Sequence, residues 1–276
     1  MRLFNSDIAQ SISEWPLCLP REPFRGRVNI SDVTLVIVET MLHDLARVAM
    51  RDAMKHCDFG EVAWFSDQPS ETSGTTWHKI EHDVTVRRQR ASAPMQFVWS
   101  KPFIDRISTP HFLFMQWDAG IVDPSLWDDR LLECDYAGAP WDFADGRNVG
   151  CGGFTIYSAR LMRHLIEHRP MPDIGADKVL CRDWRPDLER QGFRWAPDEL
   201  AIRFAFEYVR DARGPSRHFG YHDSRNWPLV MKGDALCERI KLAQQSKYVV
   251  DSGKLDRVFA MAPWLNSVIQ KEKIYA

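Results

Sequence analysis

Residues 112–122 read FLFMQWDAGIV. The first four are apolar without a break, and a short run of that kind fits a strand buried on both faces. The run closes on Gln116 and Asp118, with Trp117 between them and Gly120 just beyond. A carboxylate at the end of a buried strand carries a large desolvation cost unless a partner offsets it. Asp118 therefore marks the end of a core strand and requires something to pair with.

Toward the N-terminus, VTLVIVET (33–40) is a β-branched run that reads as a second buried strand. MLHDLARVAMRDAMKHC (41–57) carries apolar residues at helical spacing, and EVAWFSD (61–67) reads as a strand again. Strand, helix and strand in this order form the βαβ unit of an α/β fold with parallel strands. HKIEHDVTV (78–86) is a further strand candidate. FVWSKPFIDRI (97–107) reads as a helix with Pro102 in its first turn. Downstream, LWDDRLLEC (126–134), SARLMRHLIEHR (158–169) and PDELAIRFAFEYV (197–209) read as helices, with the glycine-rich VGCGGFTIYS (149–158) among them. No repeat, low-complexity tract or linker interrupts the chain. The expectation is one domain over 31–230, an irregular segment over 1–30 with Pro16, Pro20 and Pro23, and a helical tail over 231–276 packed on the same domain.

Of the 276 residues, 45% are hydrophobic and 27% charged, with a formal net charge of −2. That composition is ordinary for a globular protein and gives no global field that would draw nucleic acid. No run is long enough for a membrane span. The opening MRLFNSDIAQSISEWP, with Asp7 and Glu14, lacks the apolar stretch of a signal peptide. A cytoplasmic protein with no nucleic-acid partner and no transmembrane segment is expected. Cys18, Cys57, Cys134, Cys151, Cys181 and Cys237 form no CxxC pair and no zinc spacing, so free thiols are expected.

In open α/β sheets ligands collect beyond the carboxyl ends of the strands. Glu39, Asp67 and Asp118 all close strand candidates. Each could instead cap a following helix, as Asp often does. Asp118 is the least suited to capping, because AGIVDPSLWDD does not start a helix at once and Asp123 before Pro124 is better placed. Gln116 and Asp118 share one side of their strand by the two-residue period. Such a pair can ligate a hard divalent ion. Mg²⁺ completes its shell with water and phosphate oxygens, and Mn²⁺ also accepts imidazole. Gly150, Gly152 and Gly153 in VGCGGF allow close approach of a ligand or simply make a turn. Trp117, Trp141 and Trp195 fit stacking on a sugar or base, and fit core packing equally well. Glu207 on the 197–209 helix reads as an ion pair with Arg203 at i−4, or as a reserve carboxylate. His164 and His168 lie at i, i+4 without a third metal ligand and read as a solvated helix face.

The succession QWDAGIV, LLECDYAGAPW, VGCGGFTIYS, DKVLCRDWRPDLERQGFRWAPDELAIRFAFE and FGYHD resembles a family of glycosyltransferases catalogued largely as a domain of unknown function. The resemblance runs from about residue 33 to about residue 226. It implies the GT-A fold of nucleotide-sugar transferases, a Rossmann-like mixed sheet flanked by helices. By that resemblance QWD is the counterpart of the metal- and diphosphate-binding DxD motif. Asp118 and the late His222 would hold a divalent ion, Mn²⁺ or Mg²⁺, with Gln116 and Trp117 beside it. Glu39 and Asp67 would lie near the nucleoside, and Gly152 and Gly153 near the transferred sugar or the acceptor. Asp177 falls on an acidic pair that supplies the catalytic base in inverting enzymes. The chain departs from the pattern at Ala176, where the pair has its first carboxylate, and at Cys151, where Asn is usual.

The implied reaction takes a nucleoside diphosphate sugar as donor and a saccharide or other hydroxyl as acceptor. A metal ion would neutralise the departing diphosphate, and a base would take the acceptor proton. Two other activities remain open at this level. One is a catalytically silent nucleotide-sugar-binding protein, motivated by Ala176. The other is a metal-dependent phosphoesterase.

Overall fold

The computed structural model describes residues 26–81, 93–141, 143, 145–172, 175–207, 218–231 and 233–261. β1 (Val28–Val38) is buried at every position from Val33 onward. α1 (His43–His56) turns Leu45, Ala46, Ala49, Met50 and Ala53 into the core, and β2 (Cys57–Ser66) returns parallel to β1. The expected βαβ unit is thus present. The register shifts between Ile30 and Thr34, and Gly60 faces the irregular segment. A side chain at Gly60 would come within 2.0 Å of the Ser31 carbonyl, so only glycine fits there.

β3 (Thr76–Lys79) pairs parallel with β2. The strand expected over 78–86 starts earlier than its sequence suggested, and 82–86 lie outside the described residues. The helix expected over 97–107 is two pieces, α2 (Ala93–Val98) and α3 (Lys101–Ile104). Ser100 divides them: its side chain accepts from the Phe103 N–H and caps α3, with Pro102 in the first turn. β4 (His111–Met115) is the fully buried strand expected at 112–115, and β5 (Gly120–Ile121) follows. Asp123 caps a 3₁₀ turn as expected, accepting from Ser125. The helix expected over 126–134 consists of 3₁₀ turns, Pro124–Leu126 and Asp129–Glu133.

β6 (Tyr136–Ala137), β7 (Phe154–Ser158) and α4 (Ala159–His168) come next, the helix capped by the Ser158 hydroxyl. Ala176–Lys178, the π-wound Val179–Trp184 and Arg185–Arg190 follow one another without a break as one helical run, α5. α6 (Asp198–Phe204) ends before the expected helix does, and β8 (Ala205–Phe206) takes over. After β9 (Gly220–Tyr221) come α7 (Trp227–Val230), α8 (Gly233–Gln245), α9 (Lys247–Asp251) and α10 (Lys254–Met261).

The main sheet has the order β3-β2-β1-β4-β7-β6. β1, β2, β3 and β4 are mutually parallel, whereas β7 runs antiparallel to β4 and β6. Helices pack on the sheet, α1 against β1 and β2 and α4 against β7. This is the mixed, helix-flanked sheet expected from sequence. Because β7 is antiparallel, its entry at Phe154 pairs with the exit of β4 at Met115. The glycines before β7 and the polar residues after β4 therefore share one edge.

A small second sheet, β5-β9-β8, lies beyond that edge. β8 and β9 are parallel and β5 is antiparallel to β9. Residues just after β8 and β9 consequently meet the residues just before β5. The C-terminal helices close the far side. α8 packs on α1, and α10 packs on α7 and on the turn Ser224–Asn226. Arg239 of α8 is buried and donates to the Trp117 carbonyl at 3.3 Å and to Asp52 at 3.2 Å. Among the described residues no helix is long and apolar enough to cross a membrane. Cys57, Cys134, Cys151, Cys181 and Cys237 are free thiols.

Candidate functional site

Six separated segments of the chain meet in one place. Asp118 leaves β4 fully buried. Its Oδ2 accepts from the Lys254 ammonium of α10 at 2.5 Å. Its Oδ1 lies 3.4 Å from His222 Nε2. The same imidazole nitrogen lies 3.2 Å from Gln116 Oε1, and Nδ1 lies 3.5 Å from Glu207 Oε1. His222 thus stands between two carboxylates.

Backbone contacts fix this geometry. The His222 N–H donates to the Phe206 carbonyl at 3.0 Å, and Gln116 N–H donates to the Gly153 carbonyl at 3.0 Å. Asn226 donates through Nδ2 to the carbonyls of both His222 (2.7 Å) and Glu207 (2.8 Å), tying the two segments together. Gly153 lies directly against the imidazole: a Cβ there would be 2.0 Å from His222 Nε2. Asp177, at the start of α5, packs on Gly152, where an added Cβ would lie 3.3 Å from its own. Its Oδ1 accepts from the Lys178 N–H at 2.8 Å.

The charges follow from these neighbours. Burial opposes charge on His222, but the Asp118 and Glu207 carboxylates outweigh it and raise its pKa to about 10. Burial would likewise raise the Asp118 pKa, yet Lys254 and His222 together hold it well below the usual carboxylate range. Lys254 is raised because Asp118 outweighs its desolvation. Glu207 is lowered, its desolvation outweighed by His222. Asp177 differs: burial raises its pKa, and the Glu207 charge adds to the rise. Asp177 is thus shifted in the opposite direction from Asp118 and Glu207.

Gln116, Asp118, Gly152, Gly153, Asp177 and His222 all lie in this cluster. Other candidates are placed differently. Glu39 is buried and accepts from the N–H groups of Met41 (2.7 Å) and Leu42 (3.0 Å) in the turn that leads into α1. Asp67 Oδ1 lies 2.7 Å from His43 Nε2 at the same sheet edge. Trp117 is buried with its ring against Trp227, and the Lys254 ammonium sits 4.7 Å above it. It seats a cation through its π face instead of offering that face to a base. Trp195 is also buried, stacked on Tyr136, and Trp141 covers Gly150. Glu207 lies outside any helix and faces His222, while Arg203 lies 3.5 Å from Asp128. The i, i+4 pair expected from sequence does not form, because β8 interrupts the helix. Lys254 had no counterpart among the sequence candidates.

A divalent ion on Asp118 and His222 was implied by the resemblance. The residues as arranged do not fit one. Asp118 Oδ2 is taken by the Lys254 ammonium, and Oδ1 is buried against the His222 ring without a hydrogen bond. Among the described residues no group of three or more His, Cys, Asp or Glu side chains forms a metal constellation.

The family described as "Protein of unknown function (DUF5672)" matches residues 79–222, which take in Gln116, Asp118, Gly152, Gly153, Asp177, Glu207 and His222 but neither Asn226 nor Lys254. No curated protein matches the chain. Among solved structures, the galactosyltransferase LgtC in complex with donor and acceptor sugar analogues superposes with a TM-score of 0.43 at 11% identity, over 80% of this chain and 96% of that one. The apo form of the glycosyltransferase GlyE from Streptococcus pneumoniae TIGR4 superposes with a TM-score of 0.40 at 12% identity, over 88% of this chain and 64% of that one.

Proposed function

We propose that this chain, which belongs to the family described as proteins of unknown function (DUF5672), transfers a sugar from a nucleoside diphosphate sugar to an acceptor hydroxyl. The observation that carries this reading is the meeting of Asp118, His222, Glu207 and Asp177 beside Gly152 and Gly153, at the sheet edge where β4 ends. The edge beyond the carboxyl ends of parallel strands is where α/β folds hold nucleotides. The order of the motifs that build it supports the same class of reaction.

Breaking the anomeric C–O bond leaves negative charge on the diphosphate. Preorganised positive groups in a partly dry site stabilise such charge strongly. The acceptor hydroxyl loses its proton as it attacks. Asp177 suits that role better than Glu207, because its raised pKa leaves it basic while Glu207 is engaged by His222. A single base and direct displacement invert the anomeric centre. Ala176 had suggested a silent binding protein for want of a second carboxylate. Ala176 is buried, and Glu207 supplies a second carboxylate from another segment.

A thermal-shift screen of nucleoside diphosphate sugars, run in EDTA and in MnCl₂, tests the reading. A ligand at 100 times its Kd stabilises the native state by about 2.7 kcal/mol, enough to select a donor. A selected donor that is then consumed with an acceptor supports transfer. Absence of a shift with every nucleotide sugar rejects it.

A further inference from the structure

We propose that the Lys254 ammonium takes, on Asp118, the place of a divalent cation, so that the donor diphosphate is met by this lysine without a bound metal. The inference rests on the nucleotide-sugar reading of the site.

Four observations carry it. Asp118 is fully buried, and its Oδ2 is 2.5 Å from Lys254 Nζ, so that oxygen is already occupied by a cation. The remaining oxygen faces His222 Nε2 at 3.4 Å. The ammonium is also positioned from a second side. It lies 4.7 Å above the Trp117 ring, and the Trp117 carbonyl is in turn held by buried Arg239. Finally, the Lys254 side chain is 25% exposed while that of Asp118 is 0% exposed, so the lysine is the accessible half of the pair. An ammonium is a compact point charge with three donors, and it binds phosphate oxygens well.

The Asp118 carboxylate stands between the Lys254 ammonium and the His222 ring, and the same ring faces Glu207 on its other side. A divalent ion could reach Asp118 Oδ2 only by displacing Lys254. A diphosphate could instead approach the exposed side of Lys254 without disturbing the pair. α10, which carries the lysine, lies outside the span matched by the family. Metal-free donor binding would accordingly be a property of this chain's C-terminal helices.

The test has two readouts on the full-length protein. Manganese uptake is followed by loss of the free Mn²⁺ paramagnetic signal, with MnCl₂ alone and with UDP, GDP, ADP or CDP. Binding of the same four nucleotides is measured by calorimetry in EDTA and in MnCl₂. The expected result is no Mn²⁺ uptake by the protein, and at least one nucleotide bound equally well in both buffers. Loss of a charge-assisted contact in Lys254→Met should weaken that binding by about 10- to 100-fold, with Lys254→Arg recovering part of it. The EDTA comparison uses wild-type protein, so it decides the matter even if Lys254→Met does not fold. Stoichiometric Mn²⁺ uptake abolished by Asp118→Asn, or binding that needs Mn²⁺, overturns the inference. Failure of all four nucleotides in both buffers removes the nucleotide-sugar reading and the lysine–diphosphate contact with it. The manganese titration still decides, on its own, whether Asp118 holds a metal.

Discussion

The Lys254 ammonium stands 2.5 Å from the Asp118 carboxylate although 136 positions of chain separate them. Removing one partner of a buried pair strands the other charge, at a cost of about 3–5 kcal/mol. Asp118→Asn and Lys254→Met should each lower the unfolding free energy, Lys254→Met because it leaves the fully buried Asp118 carboxylate without its ammonium. The double variant should be more stable than the sum of the two losses implies, by about 0.5–3 kcal/mol of coupling. Urea unfolding of the four proteins measures this. Strict additivity would show that the pair does not act as a unit.

The His222 imidazolium predicts a pH dependence of stability. Its folded pKa is raised to about 10 from an ordinary 6.5, so the folded protein keeps a proton that the unfolded chain releases. That contribution is complete below the unfolded value and is lost as pH rises through the folded one. Unfolding free energy should therefore fall between about pH 6.5 and 10, by up to about 1.4 kcal/mol per pH unit. Urea midpoints for wild type and His222→Gln across this range give the comparison. The variant should show a flatter profile, and parallel curves would place the imidazole outside the carboxylate pair.

Gly153→Ala should disable the site while leaving most of the core intact. Its methyl would need the space of the His222 ring, at 2.0 Å from Nε2. Since Gly153 also accepts from the Gln116 N–H, the imidazole has to yield, or the β4 exit has to shift. Donor binding should be lost, and the His222 ring resonances should move in a proton–nitrogen NMR spectrum. Unchanged His222 resonances would contradict the packing.

Asp177→Asn and Glu207→Gln should separate two roles for two carboxylates. Asp177→Asn removes the base and should leave donor affinity near normal while slowing transfer by about 10²–10⁴-fold. Glu207→Gln loosens His222 and should weaken donor binding as well as rate. Steady-state kinetics with calorimetric donor affinities distinguish them. If Asp177→Asn turns over normally, the base lies elsewhere.

Much of the site was legible because it is built at strand ends. Asp118 closes an apolar run, and the glycines before β7 arrive at the same edge because β7 pairs antiparallel with β4. Glu39 and Asp67 show the limit of that logic. A strand-end carboxylate is equally well placed to serve its own neighbourhood, and Glu39 accepts from the turn ahead of the next helix. Glu207 was read as helical because AIRFAFE has helical spacing. Ala205 and Phe206 pair with Gly220 and Tyr221 instead, and no local periodicity reveals a two-residue strand. Lys254 was illegible for a stronger reason. It is one of many lysines on amphipathic helical sequence, and only the docking of α10 on the Ser224–Asn226 turn selects it.

Donor turnover tests the central claim most directly. Purified protein is incubated with a panel of nucleoside diphosphate sugars, and release of free nucleoside diphosphate is followed with and without candidate acceptors. One donor should be consumed, faster with an acceptor present, and its consumption should collapse in Asp177→Asn. A panel in which no nucleotide sugar is bound or consumed would contradict glycosyl transfer at this site.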